Sequence, residues 1–417
     1  MKMSSKKLII LVLLPLALNA TTLKDVLQMT LKNNANIKAM DYEIKSKNQT
    51  LKSVSNIYNP TVNIGANYNK TDLDIRSTGV GTTSTGYAKF GIELYNGGKN
   101  SSIKRQKSFE LKSTKLENDA TTKEILLQAV TLFYQIKTAE DNIKAYKEKS
   151  KTLYAQYKRE KEKYDIQMIT IDEVLKLQSE YESNKYIIED LKYQKENLYE
   201  NLSLLAGQKI NNIKSSKLPE LMNLNYKPST NIEALKMNLK AINENIVLAD
   251  AIKRPKIKLE DTLSVYHYAN YNETLLKDLP ENQNQLMLSF SLNLYDTSSS
   301  NKRQSAMLAK LVQKEQLNYA KSKEKMLFRL ATKKLLTQKE KIKSAKSALN
   351  MANSVYDIIK TKYQNGVVDN ITYLDALSKK TINKALYNQA LNNYEIAKAN
   401  YYFSSGVDYK KVLKMKF

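Results

Sequence analysis

The side chains able to do chemistry are few and widely spaced. The chain has no cysteine and one histidine, which excludes a thiolate nucleophile, a disulfide framework and a thiolate metal site. His267 stands late in an alternating apolar stretch, and one imidazole alone makes neither a metal centre nor a catalytic array. It reads as a residue near a membrane interface or a loop. The segment GTTSTG at 81–86 imitates the start of a phosphate-binding loop, but Tyr87 stands where a lysine is needed and a strand pattern follows instead of a helix. No Ser/His/Asp arrangement and no paired-carboxylate site is identifiable. Catalysis is therefore not expected, and neither is a metal or a cofactor.

The chain is rich instead in long stretches without breakers. Gly and Pro are the main local punctuation of a sequence. Neither occurs from 99 to 206, and from 281 to 417 only Gly366 and Gly406 do. Both tracts are expected to be long helices. Alternating steps of four and three, walked back from Tyr164 through Glu160, Tyr157, Leu153, Ile143, Ile136 and Ala129, give an apolar seam sustained over several heptads. The walk back from Tyr363 through Ile359, Tyr356, Leu349, Leu335 and Phe328 gives another. Such seams are the signature of coiled-coil packing. Glu160, Gln338 and Glu324 interrupt them.

The two registers are 199 residues apart, as are Gly207 and Gly406. Pro60 and Pro255 differ by 195, and the Leu-Tyr pairs at 94 and 294 by 200. One near-constant offset marks an internal duplication. The expected division is a first repeat at 21–213, a linker at 214–230, a second repeat at 231–407 and a tail at 408–417. The first repeat is read as helix, strand hairpin at 60–95, long helix at about 101–164 and helix at about 170–206. In the second, the hairpin is at 256–295 and the helices at about 299–363 and 370–404.

Residues 1–20 carry a basic start (Lys2, Lys6, Lys7), an apolar core at 8–18 and a small-residue site ending at Ala20, the pattern of an export signal. The core is too short to span a bilayer, which takes about 20 residues. The net charge of +25 would suit an anionic partner, but Lys and Glu alternate along the helical tracts, as on a solvated helix face. No nucleic-acid partner is expected.

The strand segments alternate cleanly. One face collects Ile64, then Phe90, Ile92 and Leu94, then Leu288, Phe290 and Leu292; the other carries Asn, Lys, Glu, Ser and Gly. Asp261 interrupts the apolar alternation of 256–266. Each run has about the length of a tilted membrane strand, 9–11 residues. The stretches 70–86 and 269–285 are expected to be external loops. Four strands cannot close a barrel and would leave two open edges in lipid. The expected fold is therefore an α+β membrane protein whose four strands join those of other copies; three copies give a twelve-stranded barrel. Gly97 and Gly98 in LYNGGKN, and Asp296 in LYDTSSSN, mark where strand turns into helix: the glycines supply unusual backbone angles and the aspartate suits a helix N-cap. The competing expectation is an exported coiled-coil structural or adhesive protein whose strands never meet a membrane.

With this plan in hand, the chain resembles the TolC-like outer-membrane efflux channels. The resemblance is carried by NIYNPTVNIGANY (56–68), LYNGGKN (94–100) and KYQNGVVDNITYLDALSKKTINKALYNQALNNYEIAKANYYFSSG (362–406). It implies a homotrimer with an outer-membrane barrel in contact with lipid, continued into the periplasm by a helical barrel. It implies a passive exit for an inner-membrane RND or ABC transporter, reached through a periplasmic adaptor. It also implies sites. Asp375 falls where the family carries a pore-facing carboxylate, and three such charges about an axis would attract cations; alternatively it is an acid favoured by a helix N-terminus. A second family aspartate is replaced by Thr372 and an arginine by Val368, so the polar closing network is incomplete. Tyr363 matches a family tyrosine, or simply packs as the last seam residue. The turns with Gln167 and Met168, and with Gly366 and Val367, are the expected adaptor-docking tips; Gly366 allows a tight turn where the first repeat has Gln167, an inequality expected to bear on how an adaptor or pump is chosen.

Overall fold

The structure, a computed structural model, describes residues 21–56, 58, 60–72, 79–219, 224–274 and 276–407. The expected export segment and the tail at 408–417 lie outside the described residues. The chain runs α1 (Leu23–Asn33), α2 (Ala35–Ser53), β1 (Thr61–Lys70), β2 (Val80–Asn96), α3 (Lys99–Asp165), α4 (Ile171–Ala206), α5 (Thr230–Ala251), β3 (Lys256–Tyr271), β4 (Asn282–Ser291), α6 (Thr297–Gln364) and α7 (Asn370–Ser404). α3 and α6 have 67 and 68 residues, about 100 Å each at 1.5 Å per residue. No described helix is long and apolar enough to cross a membrane.

The chain forms two compact units, each drawing on both halves of the sequence. One comprises Met1–Lys38, Thr121–Lys227 and Met326–Phe417; the other Ala39–Ala120 and Pro228–Lys325.

The first unit is helical. The seam read from the sequence lies in its core: Ala129, Ile136 and Leu153 are fully buried on α3, and Tyr356 on α6 is nearly so. Leu27 of α1, Phe133 of α3 and Leu202 of α4 share one cluster. The first repeat opens with two helices where one was expected. Asn34 separates them, and its side-chain oxygen caps α2 by accepting from the N–H groups of Asn36 and Ile37 at 2.9 and 3.1 Å.

The second unit holds an antiparallel sheet in the order β1-β2-β3-β4, together with α5 and parts of α2, α3 and α6. Facing residues in the register share a face. Val62 lies opposite Phe90 and Ile64 opposite Ala88. Phe90 in turn faces Asp261, and Ile92 faces Leu259, which faces Leu288. Near the helices that face is apolar apart from Asp261; toward the far end it also carries Thr82, Ser84, His267, Asn282 and Asn284.

The strand limits correct the sequence reading. β2 begins at Val80, so much of the stretch expected as a loop at 70–86 is strand: its Thr, Ser and Gly residues pair with β1 on one side and β3 on the other. β3 likewise continues to Tyr271 and β4 begins at Asn282. Leu292 lies beyond the end of β4, because β3 begins after Pro255 and Ser291 is the last residue with a partner, Lys256. Leu94 lies where the register shifts between Glu93 and Tyr95, an extra residue in the ladder.

Candidate functional site

Two places concentrate the residues singled out by sequence: the helix-to-helix turns of the first unit and the sheet of the second.

At the first turn, Gln167 has φ 60°. Its N–H donates to the Tyr164 carbonyl at 2.8 Å, and the Met168 N–H to Lys163 at 2.9 Å. At the second, Gly366 has φ 72°, its N–H donates to Tyr363 at 3.1 Å, and that of Val367 donates to Lys362 at 2.9 Å. This is one Schellman-type helix end made twice. The two tips share one backbone conformation and differ in their side chains. Both place an apolar residue in solvent, Met168 and Val367, each 68% exposed.

Behind the turns lies a tyrosine cluster. Tyr363 stacks on Tyr373 with ring centres 4.8 Å apart and planes at 16°. Tyr356 meets Tyr373 from another side at 6.0 Å, with their hydroxyls 3.5 Å apart, and the Lys380 ammonium sits 4.1 Å from the Tyr356 ring centre. Tyr373 is 1% exposed and packs with Leu153, Leu177 and Leu377. The Tyr363 hydroxyl hydrogen-bonds to the Glu160 carboxylate, and burial, with Glu160 adding to it, pushes that hydroxyl's pKa well above the usual tyrosine range. Glu160 is itself 3% exposed and is held by Lys163 at 3.0 Å, with Arg159 at 3.9 Å. One carboxylate on α3 thus ties α6, through Tyr363, to a ring stack on α7.

Asp375 is exposed on α7 and pairs with Lys379, one helical turn on, at 2.7 Å. Thr372 is exposed, and its backbone N–H donates to the N-cap Asp369 at 2.9 Å. Hydrogen bonds from the Thr372 hydroxyl and, second, from its backbone N–H hold the Asp369 carboxyl below the ordinary range. Neither Asp375 nor Thr372 touches the tyrosine cluster through any hydrogen bond given by the structure. The residues that sequence reading missed are Glu160 as a hub and Tyr373. Glu160 had a visible signal, a carboxylate in a seam position.

In the sheet, Ile64, Phe90, Leu288 and Phe290 are exposed on the apolar face, and Ile92 is half-buried. The opposite face is polar. Gly97 and Gly98 have φ of 69° and 84°, and a Cβ on Gly97 would sit 2.6 Å from the Ala251 carbonyl oxygen, so no larger residue fits. Asp296 accepts from the Ser298 N–H at 2.8 Å at the start of α6. Among the described residues no group of His, Cys, Asp and Glu could hold a metal ion.

The family model described as outer membrane efflux protein matches the chain twice, over residues 26–208 and 225–407. By structure the chain is similar to the outer membrane protein VceC of Vibrio cholerae, with a TM-score of 0.80, 14% identity, and 92% of this chain and 96% of that one covered. It is similar to the CmeC outer membrane channel of Campylobacter jejuni, with a TM-score of 0.81, 17% identity and coverage of 94% and 88%. The open state of the MtrE outer membrane channel of Neisseria gonorrhoeae gives 0.75, 16%, 92% and 88%. No curated protein sequence matches the chain.

Proposed function

The chain belongs to the outer membrane efflux protein family, and from that premise we propose that three copies close their sheets into one twelve-stranded barrel in the outer membrane, continued by the long helices into the periplasm. The assembly is a passive exit duct. It receives cargo from an inner-membrane RND or ABC transporter through a periplasmic adaptor that seats on the tips at Gln167-Met168 and Gly366-Val367.

The observation that carries this reading is the sheet. It has large exposed apolar side chains on one face, polar ones on the other, and free edges at β1 and β4. Unpaired backbone groups at an edge cost several kcal/mol each in lipid, so such a sheet is stable in a membrane only when copies close it. An exported coiled-coil adhesin would have no use for an apolar sheet face. A second observation agrees: α6 exposes Leu308, Val312, Tyr319, Leu330 and Val355, an apolar stripe suited to a neighbouring copy.

At the periplasmic end, the Glu160–Tyr363–Tyr373 cluster holds the helix ends together and keeps the duct shut. Asp375 faces the axis and adds a ring of three carboxylates, which favours cations.

Electron microscopy of the detergent-extracted protein tests the assembly. A three-fold particle with a lumen, and a band on gels that shifts on heating, are the expected results. A monomer or a solid rod would overturn the duct.

A further inference from the structure

The polar face of the sheet is uncharged over most of its length, with Asn63, Asn67, Thr85, Ser264, Gln283 and Gln285 in register. Its charges gather at the end nearest the helices. There the Glu260 carboxylate lies 2.7 Å from the Lys89 ammonium of β2 and 2.8 Å from that of Lys258 on its own strand. The Glu260 side chain is 9% exposed, against 39% for Lys89 and 45% for Lys258. Its partner in the register is Gly91, and a Cβ there would stand 3.9 Å from the Glu260 carboxylate oxygen, so the carboxylate lies over the glycine. Glu93 faces Lys258 in the register but accepts from the Asn96 amide at 3.0 Å, and Lys256 begins the strand on the same face.

Salt bridges on an open protein surface are seldom this enclosed. A buried carboxylate between two ammonium groups is fixed in place and fixes them. Counting Lys89, Lys256 and Lys258 against Glu93 and Glu260, this end of the face carries one net positive charge per chain.

We propose that the Lys89–Glu260–Lys258 bridge is the charge-setting ring of the barrel lumen, a selectivity element separate from Asp375 at the tip. This rests on the barrel reading above, which turns the polar face inward. In the assembled barrel each bridge recurs around the axis. One carboxylate per chain then offsets one of two lysines, and the ring admits both anions and cations. Removing Glu260 releases two ammonium groups into the lumen and makes the ring strongly anion-attracting. Removing Lys89 shifts it the other way.

The test is the reversal potential of the reconstituted full-length protein in planar lipid bilayers under a KCl gradient. Salt is kept near 0.1 M, where charges act over about 10 Å. Glu260→Gln is expected to raise the chloride-to-potassium permeability ratio by about twofold or more, and Lys89→Gln to lower it by a similar factor. Heat-modifiable migration reports whether each variant assembles. If Glu260→Gln does not assemble, Lys89→Gln alone decides the proposal by the direction of its shift. Ratios equal to wild type in assembled, conducting variants would overturn the proposal and leave the duct intact. A wild-type protein that forms no heat-modifiable oligomer would overturn the duct and this ring with it.

Discussion

Gln167 and Gly366 hold the same left-handed backbone conformation at equivalent turns, yet only one of them is free of a Cβ. For a residue with a side chain this conformation costs about 1–2 kcal/mol. A Cβ at Gly366 would meet nothing within 4 Å, so the cost there comes from backbone alone. Gly366→Ala should therefore destabilise its turn by about 1 kcal/mol, and Gln167→Gly should stabilise its own by a similar amount, both measurable as changes in hydrogen exchange at the helix ends. A loss of protection in Gln167→Gly would show that the glutamine side chain holds the turn. Asp261 raises a different residue-scale question. It lies between Phe90 and Leu286 on the apolar face, and one of its carboxylate oxygens is enclosed with no hydrogen-bond partner. A charge on a lipid-facing strand costs about 2 kcal/mol or less for an acid. Asp261→Leu should raise the temperature at which the assembly dissociates in detergent; a lower temperature would mean that the carboxylate has a partner in the assembled barrel.

Between elements, the segment joining the repeats is held by buried polar groups. Glu395 on α7 accepts from the Leu218 N–H at 3.0 Å and pairs with Lys398 at 2.7 Å, both side chains nearly buried. Lys398 also donates to the Leu218 carbonyl at 3.3 Å. Tyr134 hydrogen-bonds to the Ser216 carbonyl at 3.0 Å, and burial, with Glu395 beside it, drives its pKa far above the usual range. Glu395→Ala leaves a buried ammonium without its carboxylate, a loss of about 3–5 kcal/mol; chemical denaturation that finds less than 1 kcal/mol would rule this out. In the second unit Glu244 on α5 takes the Arg105 guanidinium at 2.9 Å and the Ser102 hydroxyl at 2.6 Å. Burial alone would raise its pKa, but these partners bring it below the ordinary glutamate value. A depressed folded pKa stabilises above the unfolded value and is lost as pH falls through the folded one. Wild type and Glu244→Gln should thus differ in stability at neutral pH and converge below about pH 4, as followed by thermal melting; a constant gap would remove the linkage. The long helices were legible in the sequence because a heptad seam and the absence of breakers are local signals. The polar seam positions were informative too: Glu160 takes Tyr363, and Glu324 takes the Ser229 N–H and hydroxyl at 2.7 and 3.0 Å. The strand ends were not legible. Whether Val80–Thr85 or Leu292 is strand depends on a partner in a distant part of the chain, and a Thr- and Gly-rich run resembles a loop until its neighbours are known.

At the scale of the whole molecule, a duct that opens on demand needs a closed state held by few and breakable contacts. The Tyr363–Glu160 hydrogen bond fits that requirement. It joins α6 to α3 through a single hydroxyl, while the Tyr363–Tyr373 stack and the leucines around it preserve the packing once the hydroxyl is gone. A hydrogen bond to a charged group contributes about 1.5–3 kcal/mol, which would shift a closed-to-open equilibrium by roughly ten- to hundredfold. Tyr363→Phe keeps the ring and removes only the hydroxyl; Glu160→Gln keeps the side chain's length and removes the charge that Lys163 and Arg159 also hold. Both should raise single-channel open probability in planar bilayers without lowering the stability of the assembled protein by more than that bond is worth, and the double variant should open little further than either single one, since both remove the same contact. Channels of unchanged open probability in all three variants would move the closure elsewhere on the helices, and additive effects would mean that Tyr363 and Glu160 act on separate contacts.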